Sequence, residues 1–511
     1  ANYRNFEARS AVTVLSRLMG QAAAARTIAE ETLRFDAMNL MAVRELCSVG
    51  SADATSGTMK ERMRRLLRGD AHQSLLLAQE YRELGCHTDA VDVLRTHAAE
   101  GGEPYAMVGY FLADSLQAMG APEARDAWRQ AAAADGAYCF PNTLAEYRVL
   151  EQAIRENPED AMAHYFLGCF LYDKRRHDDA RDAWTTSAGL RPDFPTVHRN
   201  LALYHANKRG DFATARMELE TAFRLNPDDA RVFYELCELY RRIGMPLSEQ
   251  RVHLETHLPL VERRDDLTLL YVEVLNCLGA HERVLDLLMN RSFHPWEGGE
   301  GKVPTQHVEA RLGLARRLLD EGKPKDAIFH LEQARVYHPG FGEGKLPGAQ
   351  ENHILYTLGL AWQRLDPQQA AAWFEQAAVG LSEPTGAMYY NDQPPHMIYY
   401  QGVALQALGR GAEARSRFNR LIAYGERHLS EKQAMDYFAV SLPDFLVFET
   451  DLDVRNQVHC LYMMGLGHMG LGDAGRAKES FAKALVLAPG HQGVLCHQAM
   501  LEAAMRPERG M

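Results

Sequence analysis

AMAHYFLGCFLYDKRRHDDARDAWTTSAGLRP, residues 161–192, decides the fold. Apolar residues recur at helical spacing, a short polar turn follows, a second apolar-periodic run begins, and a proline closes it. The same plan returns in HVEARLGLARRLLDEGKPKDAIFHLEQARVYHP (307–339) and in HCLYMMGLGHMGLGDAGRAKESFAKALVLAP (459–489). Ala180 and Pro192 are twelve apart, as are Ala327 and Pro339, and Ala477 and Pro489, while Pro192 and Pro227 lie one period of 35 apart. Small residues at 168, 180, 327, 465 and 477, and at 222, 334 and 484, let antiparallel helices approach closely. Trp184, Leu331 and Phe481 fill the space between them, and proline stops the second helix because it cannot continue the hydrogen-bond ladder. A single pair cannot bury its apolar face, so pairs must stack. The expected fold is all-α: a right-handed solenoid of about ten or more antiparallel helix pairs, as such stacks form.

The chain has 511 residues, 46% hydrophobic and 24% charged, too long for one compact core. No run of roughly 18 apolar residues predicts a membrane span. The first residues lack the zones of a signal peptide. Ala1 stands where an initiator Met is absent, which implies either Met removal or a piece of a longer chain. A net charge of −12, spread along the chain, repels phosphate backbones and argues against nucleic acid. Cysteines 47, 86, 139, 169, 237, 277, 460 and 496 form no CxxC pair, and their apolar neighbourhoods predict buried reduced thiols in a cytoplasmic protein. Neither GxxxxGK[ST] nor GxSxG occurs, and no cofactor is expected.

Four stretches break the period: RSFHPWEGGEGKVPT (291–305), HPGFGEGKLPGAQENH (338–353), SEPTGAMYYNDQPPHMIYY (382–400) and SLPDFLVFETDLDVRNQ (441–457). Long loops between helix pairs are costly to order and are often functional. Trp128, Trp184, Trp362 and Trp373 sit in helical stretches, whereas Trp296 sits in a Gly/Pro loop. The candidate binding residues are His294, Trp296, Glu297, Glu300, Lys302, Glu343, Lys345, Gln350, Tyr389, Tyr390, Asn391 and Asp392. Aromatic faces beside carboxylates and amides suit a polyhydroxylated ligand, and they suit a protein partner equally well. Tyr399 and Tyr400 begin a helix and read as core. A metal site on His294, Glu297 and Glu300 lacks a second ligand cluster at helical spacing. Glycoside hydrolysis needs two carboxyls at a defined separation, and sequence does not place Glu297 against Glu343. No catalytic residue is assigned.

The helix pairs resemble the tetratricopeptide repeat, closely at 161–192, 307–339, 397–424 and 458–491, well at 71–98, and more loosely at 9–39, 106–133, 195–229, 232–255 and 354–379. Net acidity and the small-residue pattern argue against the pentatricopeptide RNA binders. FPNTLAEYRVLEQAIRENP (140–158) carries only a second helix and its proline. It marks a joint, which gives an N-terminal array (1–140), a central array (141–290) and a C-terminal array with inserted loops (291–511).

The stretches FPNTLAEYRVLEQAIRENPEDA, YDKRRHDDA, FPTVHRNLALYHANK, RSFHPWEGGEGKV, GEGKLPGAQENH and MGLGHMGLGDAGRA together resemble one group of bacterial tetratricopeptide proteins. In that group the N-terminal half is a β-sandwich of mutarotase-like kind and unknown function. The resemblance covers most of 140–500, and this chain departs from it in having no β-rich half. It implies a scaffold in a carbohydrate-related setting. The partner is a peptide segment or a β-sandwich domain in cis or in trans. The alternative is a carbohydrate-binding or carbohydrate-processing module whose loops complete a glycan site. The clamp of chaperone adaptors needs Lys and Asn at the fifth and ninth repeat positions, where this chain has Tyr165 and Cys169, and Leu312 and Arg316.

Overall fold

The computed structural model describes residues 5–50, 54–296, 299–386, 394–434, 447–449 and 451–505. Among these every regular element is a helix, and the helices follow one another as antiparallel pairs. The fold is the expected all-α stack of repeated pairs. The chain divides into two units, Ala1–Tyr204 and His205–Met511.

In the first unit the pair Ala161–Asp173 and His177–Leu190 shows how the sequence makes the fold. Asp160 caps the first helix by accepting from the Ala163 amide at 2.9 Å. Tyr110, from the preceding pair, donates its hydroxyl to the same carboxylate at 3.1 Å. The carboxylate is buried, and burial pushes its pKa up. Gly168 lies beneath the Trp184 ring, and a Cβ there would fall within 3.0 Å of three ring atoms. The stretch 140–158 forms the helix Leu144–Glu156, begun by a capping box in which Thr143 and Glu146 satisfy each other's backbone amides.

The second unit opens with one π-helical turn, His205–Arg209. Pairs then follow, among them Lys302–Asp320 with Pro324–Ala334, Asn352–Gln363 with Pro367–Ala377, Met397–Ala407 with Gly411–His428, and Leu452–Gly470 with Ala474–Leu487. The helix Gln492–Ala504 packs after them. The close approach seen at Gly168 recurs three times: Gly359 lies under Phe374, Gly402 under Phe418, and Gly465 under Phe481. Ala180, Ala327 and Ala477, and Ala222, Ala334 and Ala484, are fully buried, as the small-residue pattern requires. Turns inside pairs place one residue in the left-handed region. It is glycine at 20, 85, 120, 210, 244, 279, 322, 409 and 472, and Arg175 in the pair 161–190.

All eight cysteines are thiols. Only Cys139, Cys237 and Cys460 are buried, and the other five are half-buried, so uniform burial does not hold. Burial pushes the Cys169 thiol up to about 11. Among the described residues no helix is long and apolar enough to cross a membrane.

Candidate functional site

Three helices of the C-terminal unit carry polar aromatic residues at positions where their neighbours are apolar: MIYYQG (397–402), VHCLYMMG (458–465) and VLCHQAM (494–500). Residues three or four apart share one helix face. His459 therefore stands beside Tyr462 and Met463, and Gly493 beside Cys496 and His497. These side chains, with Glu309, His353, His396 and Tyr400, line a cavity of about 320 Å3. Its helical wall comes from the first helices Lys302–Asp320, Asn352–Gln363, Met397–Ala407 and Leu452–Gly470, and from Gln492–Ala504. A reciprocal amide pair holds Gln492–Ala504 against Lys302–Asp320: Gln306 Nε2 donates to Gln492 Oε1 at 2.8 Å, and Gln492 Nε2 to Gln306 Oε1 at 2.9 Å.

His497 is the hub. Its Nδ1 lies 2.8 Å from the Gly493 carbonyl, so the proton sits there and Nε2 accepts from the Tyr400 hydroxyl at 2.9 Å. The Tyr462 hydroxyl is 3.1 Å from Nδ1. A Cβ at residue 493 would lie 2.9 Å from that hydroxyl, so any larger residue there would displace it. Burial holds His497 down to about 3 and His396 and His491 to about 4, and it lowers His353 and His459 too. Neighbouring imidazoles and Arg316 act in the same direction on His497 and His353. At neutral pH the chamber is therefore lined by uncharged imidazoles, each able to donate or accept. Burial raises Glu309, and the Arg316 guanidinium opposes that shift. Burial also works against the charge on Arg316, but Tyr400, Glu309 and Cys496 hold its pKa above the ordinary value. The thiol of Cys496 is raised by a hydrogen bond with Cys277 and by burial, which removes it as a thiolate nucleophile. His353 is buried, and among the described residues its Nδ1 has no hydrogen-bond partner. Among the described residues no three His, Cys, Asp or Glu side chains are placed to hold a metal ion.

A second cavity of about 630 Å3 shares His459, His491, Gln492 and Gly493 with this chamber. Arg241 stands in its wall between Glu273, at 2.7 Å, and Glu238, at 2.9 Å.

The residues singled out from the loops lie elsewhere. His294, Trp296, Glu300 and Glu343 converge with Val303 and Phe341 around a third cavity of about 290 Å3. The first two loops meet: the Phe293 amide donates to the Gly340 carbonyl at 2.7 Å, and the Gly301 amide to Glu343 Oε2 at 2.8 Å. Burial, and then the nearby Glu300, raise the Glu343 carboxyl against that hydrogen bond. His294 is exposed, and its Nδ1 lies 3.0 Å from Asp265. Trp296 is half-buried and lies over Gly299. Lys302 starts its helix, and its charge acts on Glu273. Lys345 is spent on Glu351, at 2.6 Å, and on the Arg335 carbonyl. Gln350 packs against Gly380. Glu297, Tyr389, Tyr390, Asn391 and Asp392 lie outside the described residues. Tyr399 and Tyr400 are buried as expected, yet the Tyr400 hydroxyl serves the chamber.

Residues 148–195 and 171–230 match the family profile of the tetratricopeptide repeat, so this part of the chain carries such repeats. Three solved structures illustrate the likeness. The tetratricopeptide domain of P58(IPK) is 14% identical, with 80% of this chain and 99% of that one covered and a TM-score of 0.23. A tetratricopeptide repeat protein from Parabacteroides merdae is 15% identical, with 51% and 92% covered and a TM-score of 0.26. YrrB, described as a tetratricopeptide protein with an unusual peptide-binding site, is 15% identical, with 45% and 89% covered and a TM-score of 0.19.

Proposed function

We propose that this chain is a non-enzymatic interaction scaffold whose C-terminal chamber takes a polar and aromatic segment of a partner protein. The observation that carries this reading is the state of the chamber. His497 is bonded to the Tyr400 hydroxyl and lies 3.1 Å from that of Tyr462, and among the described residues the buried Nδ1 of His353 has no hydrogen-bond partner. An unsatisfied buried polar group costs about 1–3 kcal/mol, which a bound segment would relieve. Among the described lining residues Glu309 is the sole carboxylate, and these residues supply no carboxyl pair for acid–base work. A random peptide library panned on the purified chain tests the reading. Enriched peptides are expected to lose at least about tenfold in affinity for a folded Glu309→Gln/His353→Phe variant. Peptides that bind both chains equally, or no enrichment, would refute it.

A second reading rests on the third cavity. There the half-buried Trp296 ring stands beside Glu300 and Glu343, an aromatic face with carboxylates that fits a polyhydroxylated ligand or the surface of a β-sandwich domain in cis or in trans. Glycan-array binding by the chain alone, abolished by Trp296→Ala, supports it, and a blank array removes the glycan form.

A further inference from the structure

Two pieces of the sequence stretches singled out above have no part in the chamber: HANK, at 205–208, and Val447-Phe448-Glu449. In the structure they meet. The single π-helical turn His205–Arg209 interrupts the regular spacing and sets Asn207 and Lys208 toward residues 447–449. Such turns recur at functional positions because the extra residue re-aims the side chains around it. The Asn207 amide grips the backbone on both sides of Phe448: Nδ2 donates to the Val447 carbonyl at 3.1 Å, and Oδ1 accepts from the Glu449 amide at 2.9 Å. Lys208 pairs with the Glu449 carboxylate, and Arg242 donates to the Glu449 carbonyl at 2.7 Å. Phe448 itself is 4% exposed and shares the wall of the 630 Å3 cavity with Val454, Val458, Leu487 and Pro489.

This is how a folded surface reads a short peptide. One carboxamide satisfies a carbonyl and an amide two residues apart irrespective of sequence, a pocket takes the aromatic ring, and a cation reads the residue after it. The strip is filled by the chain's own residues. Among the described residues, the contacts outside the ring include the two hydrogen bonds of the Asn207 carboxamide, an ion pair whose Glu449 side chain is 60% exposed, and an Arg–carbonyl bond, each of them modest.

We propose that Asn207, Lys208, Arg242 and the cavity beside them form a docking strip for a partner peptide with an aliphatic, an aromatic and an acidic residue in succession, and that Val447-Phe448-Glu449 is a resident copy of that ligand, displaced when the partner binds. The inference builds on the scaffold role proposed above, and it adds the site, the recognised triplet and a built-in competitor. A tethered resident acts at an effective concentration on the order of millimolar. A peptide in trans therefore sees only the fraction of molecules whose strip is empty, and its apparent affinity falls by that fraction.

The test uses the full chain and a fluorescein-labelled peptide of sequence FLVFETD, that of residues 445–451, read by fluorescence anisotropy. The Phe448→Ala/Glu449→Ala chain is expected to bind this peptide at least about tenfold more tightly than the parent. Adding Asn207→Ala should remove the gain, and adding Lys208→Glu should switch preference to a peptide with Lys in place of Glu. Melting curves establish that each variant is folded. As a measurement free of variants, excess peptide added to the parent chain should speed hydrogen exchange at the Glu449 amide, because the resident leaves. The proposal is overturned if the emptied chain binds no better than the parent, if binding survives Asn207→Ala, or if the Glu449 amide stays protected while peptide is bound. Library peptides that depend on Glu309 and His353 but ignore Asn207 would leave the scaffold reading intact and sink this one alone.

Discussion

Replacing Gly465 by alanine should destabilise the C-terminal unit, although the same change in an open helix does the opposite. In a helix interior alanine is favoured over glycine by about 0.8–1.0 kcal/mol. Gly189 is the control, because it lies in the helix His177–Leu190 with nothing within 4 Å of an added Cβ. Gly189→Ala should stabilise by about 0.5 kcal/mol, less than the full propensity because it stands in the last turn. At Gly465 the added carbon would fall within 3.0 Å of two ring atoms of Phe481. That ring is fully buried in a core shared with Phe418 and Leu466 and has nowhere to go. Overpacking of this kind costs about 1–3 kcal/mol, and overlap with two ring atoms places it near the upper end. With the propensity gain subtracted, Gly465→Ala should cost about 2 kcal/mol, read as a lower urea midpoint at unchanged slope. Phe481→Leu makes room, so in the double variant the two losses should couple favourably by at least about 1 kcal/mol. Stabilisation by Gly465→Ala, or simple additivity with Phe481→Leu, would refute the packing argument, and with it the equivalent reading of Gly168, Gly359 and Gly402.

Acid should weaken the chamber. His497 is held down to about 3 in the fold against 6.5 in the open chain. The unfolded state then binds the proton first, and stability falls as pH drops from about 6.5 toward 3; at pH 5 the loss is roughly 2 kcal/mol from this residue. Urea midpoints at pH 7.5 and pH 5 check this, and His497→Gln should shrink the difference between them. Trp296→Ala should cost about 1 kcal/mol, well below the 3–5 kcal/mol of a fully buried ring; a larger loss in thermal melts would make Trp296 core. Arg175→Gly should raise stability by about 0.5 kcal/mol, since a side chain at a φ of 61° is strained where nine sister turns use glycine; a lower melting point would contradict that account.

The repeat was legible because it is written in volumes. Gly168 and Trp184, Gly402 and Phe418, and Gly465 and Phe481 are each sixteen residues apart, and a small residue facing a large one at fixed spacing survives without any knowledge of contacts. The loop cavity was half legible. Trp296 stood out as the tryptophan outside a helix, and Glu300 and Glu343 do flank it, but the meeting of 291–305 with 338–353 depends on backbone bonds between residues some 40 apart that composition does not encode. The chamber was missed. His353, His459 and His497 each lie in an apolar run, where a lone histidine reads as core, and only the stacking of successive first helices brings them to one space. The available signal was their repetition, a histidine or tyrosine at the inward face of one first helix after another.

The bonds that complete the chamber span unusual distances along the chain. Tyr400 reaches His497 across 97 residues, and Gln306 reaches Gln492 across 186. Each neighbouring helix pair folds on local contacts, but this one space closes only through a segment that leaves the ribosome after all the others that form it. During synthesis the earlier pairs can therefore be native while the chamber does not yet exist. Loop closure over such separations is the slow part of folding. The order has a practical meaning: a nascent chain stalled before residue 492 would present repeats without a completed chamber. The moment at which the chamber comes into being is set by the docking of the helix Gln492–Ala504, rather than by the formation of the repeats.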